Sequence, residues 1–236
     1  MDIKAIIFDF GGTLDTGGDH WSKVIQDGWK KAGVVADEAL FHEAYVYAEQ
    51  ELQRTSKILP HHDFSNLLKI KIEIELGFLA SHGHFPPAMI ESKADEIASY
   101  CYGIAKEYTS QSGTVLEKLS QNYELALVSN FYGNLSTVLK ELNLIGYFKL
   151  IEESSGEESR KPSTILLEKA IKALGYSPEQ ILVVGDSEKN DISPAKQLGC
   201  HTVLLNGRSW DDKIIDSLPE KTIDSLDEIL GYLESI

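Results

Sequence analysis

The sequence predicts an α/β protein with a doubly wound parallel sheet that is interrupted, directly after its first strand, by a mostly helical insert. Short apolar runs that end in small polar residues occur at residues 3–10, 125–128, 181–184 and 202–205. Helical periods lie between the later runs, and such alternation of strands and helices is typical of a parallel sheet covered on both faces. Residues 16–108 break the alternation, because their apolar residues recur mainly with helical spacing.

The first apolar run, IKAIIFDF at residues 3–10, is rich in β-branched and aromatic residues and stops at Gly11 and Gly12. A strand that is apolar on both faces is typical of the centre of a parallel sheet, where helices cover both sides. We therefore expect a central strand whose carboxyl end presents Asp9. Ligands bind at this edge in open α/β sheets.

Three helices are predicted between the later strands, and glycines close two of them. Their apolar positions are Leu135, Val138, Leu139 and Leu142; then Ile165, Leu166, Ala170, Ile171 and Leu174 before Gly175; then Ile192, Ala195 and Leu198 before Gly199. The stretch that begins at Leu218-Pro219, with Ile223, Leu226, Ile229, Leu230 and Leu233, predicts a final amphipathic helix.

The insert carries three apolar stripes with helical spacing. They are Trp21, Val24, Ile25 and Trp29; Leu40, Phe41, Ala44, Tyr45 and Ala48; and Ile90, Ala94, Ile97, Cys101 and Ile104. Residues 68–76 alternate strictly as a strand would, yet they also fit a helical face, and we favour a helix there. The predicted domains are an α/β core of residues 1–15 and 109–236 and a helical cap of residues 16–108.

Four aromatic side chains of the insert, Trp21, Trp29, Tyr45 and Tyr47, have two interpretations. They could line a pocket, but aromatic residues with helical spacing belong to a hydrophobic core more often.

The composition favours a cytoplasmic protein that works on small molecules. The 22 basic and 37 acidic residues give a net charge of −15, which repels nucleic acids and acidic membrane surfaces. Cys101 and Cys200 form no CxxC pair, a pattern that fits a reduced compartment. The chain shows no signal-peptide pattern and no apolar run of about 20 residues. We expect no nucleic-acid partner, no membrane partner, and a monomer or homodimer.

Polar residues that suit phosphate or metal chemistry follow the predicted strands. They are Asp9 after the first strand, Ser129 and Asn130 after the second, Lys161 before a helix, and Asp186 with Asp191 after the third. Each has an ordinary explanation when taken alone, as a turn residue or a solvated surface charge. Two carboxylates in one loop also suit a hard cation.

Their order along the chain resembles the haloacid dehalogenase superfamily. The matching motifs are FDFGGTL at residues 8–14, LVSN at 127–130, RKP at 160–162 and VVGDSEKND at 183–191. The resemblance covers about residues 3–15 and 110–236, and it implies a Rossmann-like core. That superfamily also places a helical cap between its first two motifs, which agrees with the insert.

The resemblance implies hydrolysis of a small phosphorylated metabolite through an aspartyl-phosphate. Asp9 would be the nucleophile, and Mg²⁺ would be held by Asp9, the Gly11 carbonyl oxygen and Asp186. Catalysis would also use Ser129 and Lys161. These two residues, together with Gly12, Thr13 and Asn130, would bind the phosphoryl group. Asp191 would orient Lys161 or a metal-bound water from outside the ligand set.

One position departs from the family pattern. Related phosphatases usually carry a second aspartate two residues after the nucleophile, where this chain has Gly11. That aspartate protonates the leaving oxygen, and a general acid typically contributes about 100- to 10,000-fold to the rate.

Several explanations stay open for Gly11. The acid could come from another residue, with candidates Asp15, Asp19, His20, His61, His62 and Asp63. The substrate could instead be an acyl phosphate or anhydride, whose good leaving group needs no acid. The chain could be a phosphate- or metal-binding module with little turnover. It could also be a 2-haloacid dehalogenase-like enzyme that cleaves carbon–halogen bonds, although Asp186 argues against this because two unscreened carboxylates repel each other.

Overall fold

The central architecture is a six-stranded parallel sheet with helices on both faces. The computed structural model describes residues 1–154, 157–210 and 218–236. Within them the strand order is β3-β2-β1-β4-β5-β6, and every neighbouring pair is parallel. The strands are β1 (Ala5–Phe8), β2 (Glu124–Ser129), β3 (Leu150–Glu153), β4 (Ile181–Gly185), β5 (His201–Leu205) and β6 (Lys221–Ile223). The chain runs outward from β1 in both directions, so the predicted doubly wound α/β fold is confirmed.

Strand β1 shows why its sequence is apolar throughout. Ala5 and Ile7 belong to the core on one face of the sheet, whereas Ile6 and Phe8 belong to the core on the other. All four side chains are fully buried, and burying one large apolar side chain contributes about 1.5 to 3 kcal/mol. The strand is therefore held at the centre of the sheet, and its carboxyl end is fixed there.

Four long helices stand between β1 and β2. They are α1 (Trp21–Lys31), α2 (Glu38–Arg54), α3 (Phe64–Ser81) and α4 (Ile90–Leu119). The three predicted stripes lie on α1, α2 and α4, and residues 68–76 are helical within α3, as favoured. Helix α4 continues without a break through residues 108 and 109, so the placement of the domain boundary there stays a prediction.

In the described part of the second half, four shorter α-helices lie around the sheet. They are α5 (Leu135–Glu141), α6 (Ile165–Leu174), α7 (Ser193–Gln197) and α8 (Glu228–Glu234). Helices α6 and α7 cover the face that includes Ile7. Gly175 ends α6 with a φ of +79°, the left-handed conformation for which glycine is favoured at a helix end.

The two edge strands were not predicted, and the C-terminal prediction is wrong in part. Strand β3 has the sequence LIEE and is only half-buried, and β6 has three residues, of which Ile223 alone is buried. Neither shows the apolar run that identifies a central strand. The predicted final helix from Leu218 begins only at Glu228, because Ile223 pairs with Leu205 in the sheet instead.

The aromatic residues of the insert divide between the two interpretations. Trp29 is buried in the core, and Trp21 lines a cavity between the insert and the sheet. Tyr45 does both, and the exposed Tyr47 fits neither interpretation. In the described part of the chain, none of the helices is long and apolar enough to cross a membrane.

Candidate active site

The chemistry-bearing residues from four separate motifs lie around one cavity of about 330 Å³. Asp9 directly follows β1, Ser129 ends β2 and Asp186 directly follows β4. Because these strands are neighbours and parallel, their carboxyl ends meet at one edge of the sheet. Lys161 reaches the same cavity from the segment before α6.

Lys161 connects two of the carboxylates. Its Nζ lies 2.6 Å from Asp9 Oδ1 and 2.6 Å from Asp191 Oδ1, and it donates a third hydrogen bond to the Val128 carbonyl oxygen at 3.1 Å. Burial acts to lower the pKa of Lys161, but the carboxylates of Asp191 and Asp9 overcome this and raise it above its ordinary value. The side chain is therefore a fixed positive charge beside the predicted nucleophile.

Asn130 holds the backbone of Lys161 rather than projecting to a ligand. Its side-chain Nδ2 donates to the Lys161 carbonyl oxygen at 3.0 Å, and its Oδ1 accepts from the Lys161 N–H at 2.8 Å. Both polar atoms of the amide are thus used within the protein. The substrate-binding role assigned to Asn130 stays a prediction, whereas its contacts show how Lys161 is placed.

Three carboxylates converge opposite this lysine. Asp9, Asp186 and Asp191 each offer an oxygen, and these oxygens all lie within 4.8 Å of one another. Burial raises the pKa of Asp186 well above its ordinary value, and the neighbouring Asp191 and Asp9 carboxylates raise it further. Oxygen donors at this spacing, with a negative charge that Lys161 only partly neutralises, fit a hard divalent cation.

Two glycines allow the carboxylates to approach the backbone closely. A Cβ atom on Gly12, whose φ is +101°, would lie 2.4 Å from Asp186 Oδ2. A Cβ atom on Gly185 would lie 2.3 Å from Asp191 Cγ. Any side chain at either position would displace an acidic residue, so these glycines belong to the construction of the site.

The loop after Asp9 uses its polar groups to hold the site together. Thr13 Oγ1 donates to Asp186 Oδ1 at 3.0 Å, and the Gly12 N–H donates to Asp15 Oδ1 at 2.8 Å. Both groups were predicted to contact a phosphoryl group, and no ligand tests that role. Ser129 is buried and lines the cavity, and its role in catalysis stays a prediction.

Gly11, where related phosphatases carry their acid, does not need to be glycine. No left-handed backbone conformation occurs at this residue, and a Cβ atom would meet Trp21 Cδ1 at 3.6 Å, an ordinary contact distance. The Trp21 indole N–H donates to Asp15 Oδ2 at 2.8 Å. The indole ring therefore borders the space into which a side chain at position 11 would project.

The candidate replacement acids mostly have other roles. Asp19 pairs with Arg208, Asp63 accepts the Asn66 N–H at the start of α3, and His62 accepts the Leu59 N–H. These three residues and His61 are absent from the described lining of the cavity.

Asp15 and His20 are the two candidates nearest to the site. Asp15 is fully buried and accepts its two hydrogen bonds from Gly12 and Trp21; burial raises its pKa to about 7. His20 lines the cavity, and its Nδ1 accepts the Ser22 N–H at 3.2 Å. Of the six candidates, His20 alone is among the cavity-lining residues that the structure describes.

Sequence reasoning missed the residues on the insert side of the cavity. These are Glu49 on α2, Lys71 on α3, Tyr132 after β2, and Arg160 and Trp210. One signal was present, because Lys71 and Glu75 fall on the same helical face as Leu68 and Ile72 and interrupt an otherwise apolar stripe.

The fold and the site together define a class: a doubly wound α/β protein with an acidic site at the carboxyl ends of its central strands, bordered by a helical insert. The model of the haloacid dehalogenase-like hydrolases matches residues 3–199, and the chain belongs to this family. The resemblance inferred from the four motifs is thereby confirmed.

Individual relatives resemble the chain at low sequence identity and over only part of its length. The chain is 26% identical over 154 residues to haloacid dehalogenase-like hydrolase domain-containing protein 3 of Danio rerio, covering 64% of each chain. It is 38% identical over 132 residues to a phosphoglycolate phosphatase of Aquifex aeolicus, covering 55% of this chain and 60% of that enzyme. The chain thus spans less than two thirds of the length of both relatives.

A solved structure with the same fold is the L-2-haloacid dehalogenase of Xanthobacter autotrophicus with chloropropionic acid covalently bound. Its TM-score is 0.64 at 16% sequence identity, with 99% of both chains covered. At this identity the likeness concerns the fold alone.

Proposed function

We propose that the protein is a Mg²⁺-dependent hydrolase of a small phosphorylated metabolite and that it works through an aspartyl-phosphate on Asp9. The observation that carries this proposal is the position of Asp186. Asp9, Asp186 and Asp191 lie together, and among the described residues Lys161 is hydrogen-bonded to two of them, Asp9 and Asp191. Fully ionised, the group has a net charge of −2, which a divalent cation neutralises.

Asp9, Asp186 and the Gly11 carbonyl oxygen are the groups that would hold Mg²⁺, and Asp191 stays beside Lys161. When bound, the cation supplies positive charge that offsets the repulsion between the Asp9 carboxylate and an anionic phosphoryl group. The buried acidic cluster supports this assignment, since carboxylate and carbonyl oxygens are the ligands that hard cations prefer.

The residues of the chain perform two displacements at phosphorus. In the first, an Asp9 carboxylate oxygen bonds to phosphorus, the bond to the leaving oxygen breaks, and that oxygen takes up a proton from solvent because Gly11 supplies none. In the second, a water oxygen bonds to phosphorus and gives up a proton, the bond between phosphorus and Asp9 breaks, and inorganic phosphate leaves. Lys161 and Ser129 would contact phosphoryl oxygens, where charge accumulates in the transition state; their position in the same cavity as Asp9 supports this role.

The size of the cavity and the names of relatives support a small substrate. A cavity of about 330 Å³ accommodates a metabolite rather than a folded phosphoprotein. The relative from Aquifex aeolicus is a phosphoglycolate phosphatase, which supports phosphoryl chemistry here.

Carbon–halogen hydrolysis is the second candidate, because Gly11 supplies no acid and such chemistry needs none. The fold shared with an L-2-haloacid dehalogenase is compatible with it. The acidic cluster disfavours it, since Lys161 neutralises only part of the negative charge of three neighbouring carboxylates, and carbon–halogen chemistry gives no use for the third.

The deciding experiment measures phosphate and halide release in parallel. Wild type and Gly11→Asp are assayed with p-nitrophenyl phosphate, acetyl phosphate, sugar phosphates and 2-chloropropionate, each with Mg²⁺ and with EDTA. We expect phosphate release that requires Mg²⁺ and no halide release. Halide release that persists in EDTA would replace the proposal with dehalogenation. Mg²⁺ binding without turnover of any substrate would replace it with a binding module.

If Gly11 restricts the reaction to good leaving groups, Gly11→Asp should extend turnover from acetyl phosphate to alkyl phosphates. The structure leaves ordinary contact distance for a Cβ atom there. Equal turnover of alkyl phosphates by wild type would show that another group supplies the proton.

A further inference from the structure

A polar cluster lies on the insert side of the cavity, and the reaction at Asp9 does not use it. It consists of Glu49, Lys71 and Tyr132, which we call the cap cluster. Lys71 Nζ forms an ion pair with Glu49 Oε1. The Tyr132 hydroxyl lies 2.8 Å from Glu49 Oε1 and 3.0 Å from Glu49 Oε2. All three residues line the cavity that contains Asp9.

Both charges of the cluster are maintained in the folded protein. Burial acts to raise the pKa of Glu49, but the Lys71 ammonium and the hydrogen bonds from Lys71 and Tyr132 lower it below its ordinary value. Burial acts to lower the pKa of Lys71, but Glu49 overcomes this and raises it well above its ordinary value. The cavity wall therefore carries an ionised carboxylate.

Stability alone explains this ion pair poorly. The Lys71 side chain is 4% exposed and that of Glu49 is 23% exposed, so both charges have lost much of their hydration. Replacing such a buried pair by apolar residues of similar volume is often neutral or stabilising. A charged pair that faces a ligand cavity has a direct use, because it can hydrogen-bond to polar groups of the ligand.

The cluster has hydrogen-bonding capacity left for a ligand. A carboxylate offers about four acceptor positions. Among the described residues, Glu49 accepts a hydrogen bond from Lys71 and one that the Tyr132 hydroxyl shares between the two carboxylate oxygens. The Lys71 ammonium has three donors; one serves Glu49, and Nζ lies 4.1 Å from the centroid of the Tyr45 ring. A hydroxyl group, which donates and accepts, can use both residues at once.

We propose that the cap cluster binds hydroxyl groups of the leaving group, so that the preferred substrates are polyol or sugar phosphates. This inference rests on the proposed phosphatase function. It concerns the leaving group, which is the part of the substrate that is released from the phosphoryl group. Gln50 and Gln53 also line the cavity from α2, and their amides donate and accept in the same way.

The same geometry disfavours a substrate that carries a carboxylate at this end. Such a group would be repelled by the ionised Glu49, and it could pair with the Lys71 ammonium only in competition with Glu49. Arg160 also lines the cavity and donates from Nη1 to the Phe131 carbonyl oxygen at 3.3 Å. It is the residue that a carboxylate substrate would use instead, so the experiment includes it.

The test compares kcat/KM across leaving groups with Mg²⁺ present. The substrates are glycerol 3-phosphate and glucose 6-phosphate, which carry hydroxyls, phosphoglycolate, which carries a carboxylate, and p-nitrophenyl phosphate, which carries neither. Glu49→Gln keeps the side-chain shape and removes the charge, and Tyr132→Phe removes one hydrogen bond. Glu43→Gln, an exposed position on the same helix, is the matched control.

We expect wild type to prefer a hydroxylated substrate over phosphoglycolate. Glu49→Gln should lower kcat/KM for hydroxylated substrates by about 10- to 100-fold, the range of a hydrogen bond to a charged group. The loss should appear mainly in KM. Turnover of p-nitrophenyl phosphate should fall by a smaller factor, because its leaving group has no hydroxyl that could lose a contact with Glu49. The control Glu43→Gln should leave every substrate within about twofold of wild type.

Two outcomes would overturn the inference and leave the proposed phosphatase intact. One is an equal loss for p-nitrophenyl phosphate and the hydroxylated substrates in both Glu49→Gln and Tyr132→Phe, which indicates a structural role. The other is a wild-type preference for phosphoglycolate that Arg160→Gln abolishes and Glu49→Gln does not. If wild type shows no Mg²⁺-dependent turnover of p-nitrophenyl phosphate, the proposed function fails and the inference fails with it.

Discussion

The two ends of the cavity are built in different ways. At the sheet end, short chain segments that directly follow strands place Asp9 and Asp186. The two hydrogen bonds from the Asn130 side chain to the Lys161 backbone, which we call the Asn130 clamp, hold Lys161 beside them. At the insert end, the cap cluster joins side chains from two helices and a core loop. The sheet end therefore depends on local motifs, whereas the insert end depends on how separate helices pack.

This difference predicts that the sheet end carries out the chemistry and that the insert end recognises the substrate. Changes at the sheet end should reduce turnover of every phosphorylated substrate, because they affect the phosphoryl group that all substrates share. Changes at the insert end should alter the choice among substrates.

The largest effect is expected for Asp9→Asn. The amide lacks the negative charge that the proposed nucleophile needs and loses the ion pair with Lys161, so kcat should fall by about 10,000-fold or more for every substrate. Phosphate release at saturating substrate measures it, with the exposed Asp2→Asn as control. Retention of a tenth of the wild-type kcat would rule out Asp9 as the nucleophile, and the chemistry could then no longer be assigned to the sheet end of the cavity.

Asp186→Asn should have the next largest effect. It removes one charge from the acidic cluster, so kcat should fall by about 100- to 1,000-fold, in the range of a lost electrostatic contact to the reacting group. The Mg²⁺ concentration for half-maximal activity should rise as well. Glu188→Gln, in the same loop, is the control. An unchanged Mg²⁺ titration would show that Asp186 does not contact the metal.

The same contrast explains how much of the protein could be predicted from its sequence. The central strands β1, β2, β4 and β5 were predicted because burial on both faces leaves a continuous apolar run. The edge strands β3 and β6 were missed because their exposed faces carry residues such as Glu152 and Lys221. Asp9, Lys161 and Asp186 were selected from their motifs, and the structure brings them together.

The insert end could not be predicted because its contacts join distant parts of the chain. Glu49 and Tyr132 are separated by 83 residues, and nothing in the local pattern of α2 indicates that pair. The environment of Glu75 could not be predicted either. This residue lies on the buried face of α3, and its carboxylate oxygens have no hydrogen-bond partner among the described residues.

Glu75 makes the stability of the insert dependent on pH. Burial raises the pKa of this carboxyl to about 8; Lys71 and a weak contact with the Trp29 indole lower it, whereas Glu49 raises it. Cys101 on α4 packs near the same carboxyl. The folded state therefore keeps a proton that the unfolded state releases near pH 4.5, so stability decreases as pH rises from about 4.5 towards 8.

Glu75→Gln should remove this dependence. At about 1.4 kcal/mol per pH unit, the wild type should lose roughly 3 kcal/mol between pH 5 and pH 7.5 relative to the variant. This corresponds to a decrease in Tm of about 6 to 12 °C for a chain of this size. Thermal melting across this pH range measures it, with the half-exposed Glu73→Gln as control. Parallel pH profiles for wild type and Glu75→Gln would contradict a protonated Glu75.

The smallest effect concerns the Asn130 clamp, and it tests whether the sheet end depends on backbone placement. Asn130→Ala removes both hydrogen bonds to the Lys161 backbone and leaves every charge in place. A less well-fixed Lys161 ammonium should lower kcat by about tenfold while KM changes little, because its contact matters most where phosphoryl charge develops. The exposed Asn122→Ala is the control. A rise in KM with kcat unchanged would instead show that the Asn130 amide binds the substrate directly. Asn130 would then be a recognition residue at the sheet end of the cavity, which is otherwise assigned to chemistry.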